Sequence, residues 1–149
     1  MAATPASLGA ATGDVEPFDT ADIDTAAALM VASYRGTVDW EDGDDESVAA
    51  AEIHNTISGE YGTFLPQASL QARVDGVVVS QIICTLFQGV PLVVFVYTHP
   101  AHTGRGLATS LIRAAAEALA KVNYTDLTLY VTDSNPAVAL YEKLGFHRA

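Results

Sequence analysis

The sequence predicts a mixed α/β fold, an α+β arrangement in which one largely antiparallel sheet packs against helices. Three observations predict it. The apolar period is helical before residue 60, alternates as in strands to about Thr98, and turns helical again at Gly104. An Asp75-Gly76 pair sits between two apolar runs, the signature of a hairpin. A strand, helix, strand and helix then close the chain, which asks for a parallel crossover. At 149 residues the chain suits one domain burying about two-thirds of its unfolded surface.

The elements follow in order. Residues 1–13 are Ala, Thr, Ser, Pro, Gly, Met and Leu without a basic stretch or an apolar run, so they read as a disordered tail before a single domain at 14–149. Val15 to Phe18 is a short strand. Asp19 or Thr20 can cap a helix to about Tyr34, with Ile23, Ala27, Met30 and Tyr34 on one face. Gly36 to Gly43 is a loop carrying Trp40, which either covers the helix pair or contacts a ligand. Asp44, Asp45 and Glu46 suit the positive N-terminal end of a second helix, which stops near Ser58 and Gly59. Tyr61 to Pro66 is loop. Ser69–Val74 and Val77–Phe87 form the hairpin, and Pro91–Thr98, apolar on both faces, is a central strand. Leu107, Leu111, Ala115, Ala118, Leu119 and Val122 mark the buried side of the next helix. Leu127, Leu129 and Val131 alternate with polar residues as a half-buried strand. Asn135-Pro136 opens the last helix and Gly145 closes it. The predicted order is β-α-α-β-β-β-α-β-α.

Charge narrows the partners. The net charge is −11, and thirteen of the eighteen acids fall in residues 1–61 against one base, Arg35. A phosphate polymer is repelled by that part, so nucleic acid is excluded as a partner class. The acids either keep an apolar chain soluble or steer a cationic partner. The greasiest stretch, Val77 to Thr98, is broken by Gln81, Gln88, Gly89 and Pro91 and cannot span a membrane; a soluble cytoplasmic protein is the default. One cysteine, Cys84, excludes a disulfide framework and a cysteine-based zinc site, and reads as core. Asp42–Glu46 lacks the ligand spacing of a calcium loop, so no metal is expected.

The chemistry concentrates where the central strand ends. After Thr98 a short loop opens a helix with small residues at alternate positions, Gly104, Gly106 and Ala108. They let the backbone approach a ligand while the first-turn N–H groups point outward, an arrangement suited to a pyrophosphate, and Arg105 adds charge. Thr109 stands where a dinucleotide fingerprint needs glycine, and the Gly-Lys-Ser/Thr of a triphosphate loop is absent.

Thr103-Gly104-Arg105-Gly106-Leu107-Ala108 and, after the next strand, Asn135-Pro136-Ala137-Val138-Ala139-Leu140-Tyr141-Glu142-Lys143-Leu144-Gly145-Phe146 together resemble the GNAT family of N-acetyltransferases. The first is similar to its pyrophosphate motif, the second to its closing Asn-x-x-Ala-x-x-Leu-Tyr-x-x-Leu-Gly-Phe helix, and the resemblance covers about residues 15–149. It implies a GNAT-like sheet and acetyl-CoA as co-substrate, lying in a V-shaped gap between the strand ending at Thr98 and that at Leu127–Thr132. It further implies that backbone at Val96 and Thr98 orients the thioester and that the N–H groups of Gly104, Gly106, Ala108 and Thr109 hold the pyrophosphate. Asn135 would bond the pantetheine arm, and Tyr141 would protonate the departing sulfur. The implied reaction is direct acetyl transfer to a primary amine, in view of the acidic first third that of a cationic small molecule or peptide.

Three departures accompany the likeness. Leu92 stands where some members carry a glutamate base, leaving a water chain, Glu52, His54, His99 or His102 to take the amine's proton. Thr103 replaces the usual Gln or Arg. The chain ends three residues after Phe146, where the family usually adds one or two strands, so the Leu127–Val131 edge is expected to be bare and open to a second copy, giving a homodimer, unless the acceptor site is simply open. A non-catalytic acyl-CoA-binding regulatory module, and a plain α/β domain without a CoA site, are the alternatives.

Overall fold

The computed structural model describes residues 1–5, 15–35, 45–131 and 134–147. Trp40, Asp42, Asp44, most of the tail and Thr132 lie outside the described residues. In chain order the elements are β1 (Ala2–Ala3), β2 (Glu16–Pro17), α1 (Ile23–Tyr34), α2 (Glu46–Ile57), β3 (Thr63–Phe64), β4 (Leu70–Val74), β5 (Val77–Phe87), β6 (Val90–Thr98), α3 (Leu107–Lys121), β7 (Leu127–Leu129) and α4 (Ala137–Leu144). Among the described residues seven strands make one sheet in the order β1-β7-β6-β5-β4-β2, with β3 also on β5. Every pairing is antiparallel except β6 with β7, which α3 connects by the expected crossover. The central position expected for the Pro91–Thr98 run is that of β6.

Local chemistry sets the ends. Asp22, rather than Asp19 or Thr20, caps α1, its Oδ1 accepting from Thr25 N at 3.2 Å, while Asp19 Oδ1 accepts from Ala21 N at 3.0 Å in the turn before it. Asp45 caps α2 through Val48 N at 3.0 Å. Such caps are typically worth about 1 kcal/mol each. Asp75 and Gly76, at φ 51° and 79°, form the tight turn that the sequence predicts, and Gln88 and Gly89 repeat it at 51° and 80°.

The two faces of the sheet bury different cores. Ile82, Cys84, Val93, Leu127 and Leu129 pack with α3 and α4 on one side, while Ile83 and Tyr97 pack with α1 and α2 on the other. The α3 core takes Leu111, Ile112, Ala115, Ala116 and Leu119; Val122, expected inside, is 51% exposed because α3 ends at Lys121.

Two strands were not legible as such. Thr63–Phe64 lies in the stretch read as loop, yet it pairs with Leu86 and Thr85 because β5 is eleven residues long and β4 covers only part of its edge. Gly62 makes that approach possible, since a Cβ there would stand 2.2 Å from Leu86 O. The second departure is at the N-terminus. Residues 1–5 of the expected tail are ordered: Ala2 pairs with Thr128 and Ala3 with Leu127, so β1 occupies the β7 edge expected to be bare. The physical reason is the unsatisfied N–H and C=O row of β7, which any extended segment of suitable reach will pair. The ground for expecting a second copy on that edge is therefore removed.

Candidate functional site

The site begins with an irregularity in β6. Its register against β5 runs Ser80↔Thr98, Gln81↔Tyr97, Ile82↔Val96 and Ile83↔Phe95, then slips to Cys84↔Val93, leaving Val94 as the extra residue of a bulge. One residue more reverses the facing: Val93 packs in the α3 core, whereas Phe95, two residues on, packs against the α1 core. The parallel pairing with β7 reaches only Leu92↔Thr128 and Val93↔Leu129 and stops at that bulge. Beyond it β6 runs on without β7.

Hydrogen-bond alternation then says what the freed edge offers. His99 N donates to Val79 O at 2.8 Å, so the 79/99 pair is of the hydrogen-bonded kind. Bonded and non-bonded pairs alternate in an antiparallel ladder, so 81/97 is bonded and both 80/98 and 82/96 are not. The N–H and C=O groups of Val96 and Thr98 therefore face away from β5, toward the side that β7 has left. An extended polar chain could pair there as an added strand. The Thr98 hydroxyl is tied down, 2.8 Å from Ser80 Oγ.

The loop after β6 is held by its own side chains. His99 Nδ1 accepts from Ala101 N at 3.1 Å, and Thr103 Oγ1 donates to Pro100 O at 3.1 Å. Thr103 and His99 thus shape the turn. Arg105 is exposed, with a guanidinium nitrogen 3.2 Å from His102 Nδ1. Gly104 and Gly106 both sit at φ +78°, a region closed to most side chains, and a Cβ at either would meet no protein atom within 4 Å. No side chain caps α3, whose first intrahelical bond runs from Ser110 N to Gly106 O at 2.9 Å. The N–H groups of Gly106, Leu107, Ala108 and Thr109 are the ones that a helix start leaves without an intrahelical acceptor. Open glycine backbone, uncapped donors and an exposed arginine fit a pyrophosphate, for which a helix N-terminus is worth about 0.3–1 kcal/mol, up to about 2 when partly buried.

On the same face of the sheet as α3, α4 supplies the remaining residues. Asn135 Oδ1 accepts from Ala137 N at 2.9 Å, so the amide is spent partly on starting the helix. Tyr141 is 8% exposed, edge-to-face with Phe146 at 6.0 Å, in the apolar cluster against which Val96, Leu107 and Leu140 also pack. Val96, the start of α3 and Tyr141 thus border one core.

Of the base candidates, His99 and His102 lie in the loop after β6, their Nδ1 atoms turned to Ala101 N and Arg105. Glu52 and His54 are exposed on α2, and Leu92 is buried before the bulge, on the stretch still paired to β7. Tyr34 is the residue that sequence reasoning missed. Read as one of α1's apolar face, it packs against that core and also sets its hydroxyl 3.4 Å from Val96 O, a long hydrogen bond onto the freed backbone. Nothing local distinguishes it from a core aromatic. Its ring meets Tyr97 edge-on at 6.1 Å. Burial first, and then Tyr34, push the Tyr97 phenol well above its ordinary pKa, keeping it a neutral donor to Gln81 Oε1 at 2.6 Å. Cys84 is fully buried, its thiol pushed up to about 12 by desolvation, which agrees with a core role. Among the described residues no group of three or more His, Cys, Asp or Glu could hold a metal, and no helix is long and apolar enough to cross a membrane.

The family described as "Acetyltransferase (GNAT) family" matches residues 25–146. No curated protein sequence matches this one. Among solved structures, the ribosomal-protein-S18-alanine N-acetyltransferase of Escherichia coli superposes with a TM-score of 0.72 at 22% identity, covering 91% of this chain and 78% of that one. The aminoglycoside antibiotic 6'-N-acetyltransferase of Acinetobacter haemolyticus gives 0.68 at 21% identity, covering 91% and 92%. A GNAT family acetyltransferase of Brucella melitensis in complex with acetyl-CoA gives 0.69 at 18%, covering 91% and 82%. At these identities the likeness is one of fold.

Proposed function

Because the chain belongs to the acetyltransferase (GNAT) family, and is on that ground an acyltransferase, we propose that it moves an acetyl group from acetyl-CoA to a primary amine of a cationic small molecule or peptide by direct attack. The observation that carries the reading is the continuity of two donor arrays: the backbone edge freed at Val96 and Thr98 runs through a short loop into the uncapped start of α3. Support also comes from the acetyl-CoA complex of the Brucella relative and from the amine acceptors named for the other two. The domain would be residues 14–149, with β1 added to it.

Acetyl-CoA, as co-substrate, supplies the acetyl group as a thioester. In this reading the backbone of Val96 and Thr98 orients the arm, and a fixed N–H dipole on that edge meets charge developing on the carbonyl oxygen. Gly104, Gly106, Ala108 and Thr109 receive the pyrophosphate through backbone N–H, with Arg105 adding charge, and Asn135 holds the arm. Tyr141 Oη gives its proton to sulfur as the carbon–sulfur bond breaks; a phenol near 10 suits a thiol near 8.5. Freeing a lysine-like amine at pH 7 costs about 4.6 kcal/mol, and a water chain, or an acid of the first two helices such as Glu52, takes the proton it sheds. The acidity of that third is what favours a cationic acceptor.

The test is the thermal midpoint with acetyl-CoA, CoA or NADH, followed by an amine screen and Tyr141→Phe. Ligand at 100 times its dissociation constant adds about 2.7 kcal/mol, on the order of 5–10 °C here. Both CoA species should raise the midpoint and NADH should not. Tyr141→Phe should lower kcat about a hundredfold at unchanged CoA affinity. No shift with any ligand refutes the reading, and CoA binding with no turnover on any amine would leave a non-catalytic acyl-CoA module.

A further inference from the structure

The donor gap has two walls of unequal support. β6 is held along nearly its whole length by β5, whereas β7 is three residues long and touches β6 through two register pairs, Leu92↔Thr128 and Val93↔Leu129. Two pairs do not fix where a strand points beyond them. Thr128 Oγ1 adds one bond to Pro91 O at 3.0 Å, Leu127 and Leu129 are buried in the core below, and the rest of the backbone support comes from the other edge. There Ala2 and Ala3 pair with Thr128 and Leu127, the Met1 nitrogen donates to Leu129 O at 2.6 Å, and Leu129 N donates to Met1 O at 2.8 Å.

The same short strand also faces the other way. Ala2 N donates to His147 O and His147 N to Ala2 O, both at 2.8 Å, so Ala2 lies between β7 and the chain leaving α4. One residue before His147, Phe146 N donates to Tyr141 O at 2.9 Å, and the two rings meet edge-on. Side chains anchor the strand: Ala3 is 5% exposed, Pro5 is fully buried, and Met1 packs on the cluster that holds Tyr141. A segment that reads as a tail is thus the piece through which β7 and the exit of α4 are joined.

We propose that residues 1–5 are the positioning strand of the acyl-donor gap. By bonding β7 on one edge and His147 on the other, they set how far β7 stands from β6 beyond Val93 and where α4 presents Tyr141. This rests on the reading of the gap under Proposed function. The residues touch no reacting atom in that reading; they act through β7 and α4.

The experiment compares wild type with Ala3→Asp, which puts a carboxylate in a buried slot, Ala3→Ser as the conservative variant, and Ala2→Pro, which deletes the N–H that His147 O accepts. Three readouts are taken: hydrogen exchange at the Leu129 and His147 amides, CoA affinity by calorimetry, and the kcat and KM for acetyl-CoA. The expected result for Ala3→Asp is exchange at least tenfold faster at Leu129 and His147, CoA affinity weakened fivefold or more, and kcat lowered as well, with Ala3→Ser close to wild type. Ala2→Pro should speed exchange at His147 and lower kcat. Were Ala3→Asp too unstable to handle, Ala2→Pro takes its place, and faster exchange at His147 together with weaker CoA affinity and lower kcat is expected. Unchanged Leu129 exchange in Ala3→Asp overturns the strand itself. Faster exchange at unchanged CoA affinity and kcat overturns the positioning role while leaving the strand. Failure of wild type to bind CoA refutes the reading of the gap, and this role with it, whereas the exchange results would still report the strand.

Discussion

Replacing Gly106 with alanine separates two costs that usually arrive together. The backbone there is at φ +78°, and a Cβ would meet no protein atom within 4 Å. The loss of stability is therefore conformational. A side chain in the left-handed region costs about 1–2 kcal/mol, offset in part by the roughly 0.4–1 kcal/mol that alanine removes from the freedom of the unfolded chain. The net is about 1 kcal/mol, or roughly 2–4 °C in the midpoint for a chain of this size. That strain is present with and without ligand and so cancels from the affinity. What does not cancel is the methyl group, which occupies space that the proposed pyrophosphate needs. CoA affinity measured by calorimetry should fall tenfold or more, equal to about 1.4 kcal/mol. Gly106→Asn is the companion variant: asparagine tolerates the left-handed region, so the midpoint should recover while the affinity loss stays. Two variants that both bind CoA within twofold of wild type would refute the placement of the phosphates at the start of α3.

Further outcomes follow from the rest of the molecule. Cys84, fully buried with its thiol pushed up to about 12, should resist a thiol reagent in the native protein and react at the rate of unfolding in denaturant; fast labelling of folded protein would contradict the core placement. Glu16 is held below its ordinary pKa by hydrogen bonds from Arg73, at 2.6 Å, and then Gln71. A depressed carboxylate contributes stability above its unfolded pKa and loses it as pH falls through the folded value, so Glu16→Gln should lower the midpoint slightly at pH 7 and match wild type in strong acid. The pair is surface-exposed, and a difference that grows toward low pH would reverse the assigned sign.

The legibility of this chain divides by the range of the interactions. Asp75-Gly76, the glycines before α3, Pro136 and Gly145 declare turns and helix ends through their own backbone preferences, so the hairpin, the crossover and the proposed phosphate loop could be read from a few adjacent residues. The α1 cap lies a few residues beyond Asp19 and Thr20 because several acids compete for the same donors, and only the observed helix start selects Asp22, whereas Asp45 caps α2 within the acidic run that marks its start. Other features depend on partners far along the chain. Thr63–Phe64 becomes a strand because β5 outruns β4, and Tyr34 reaches the site because packing brings the end of α1 within 3.4 Å of the Val96 carbonyl, 62 positions away. The Val94 bulge reverses the facing of β6, which no alternation of apolar residues reveals in a strand apolar on both sides. Ala2 and Ala3 carry no strand signal at all; they pair because β7, 126 positions away at Ala2↔Thr128, leaves a row of unsatisfied N–H and C=O groups within reach. The sequence by itself determined the elements whose energy is local, and the tertiary structure decided those whose hydrogen bonds only a distant segment could complete.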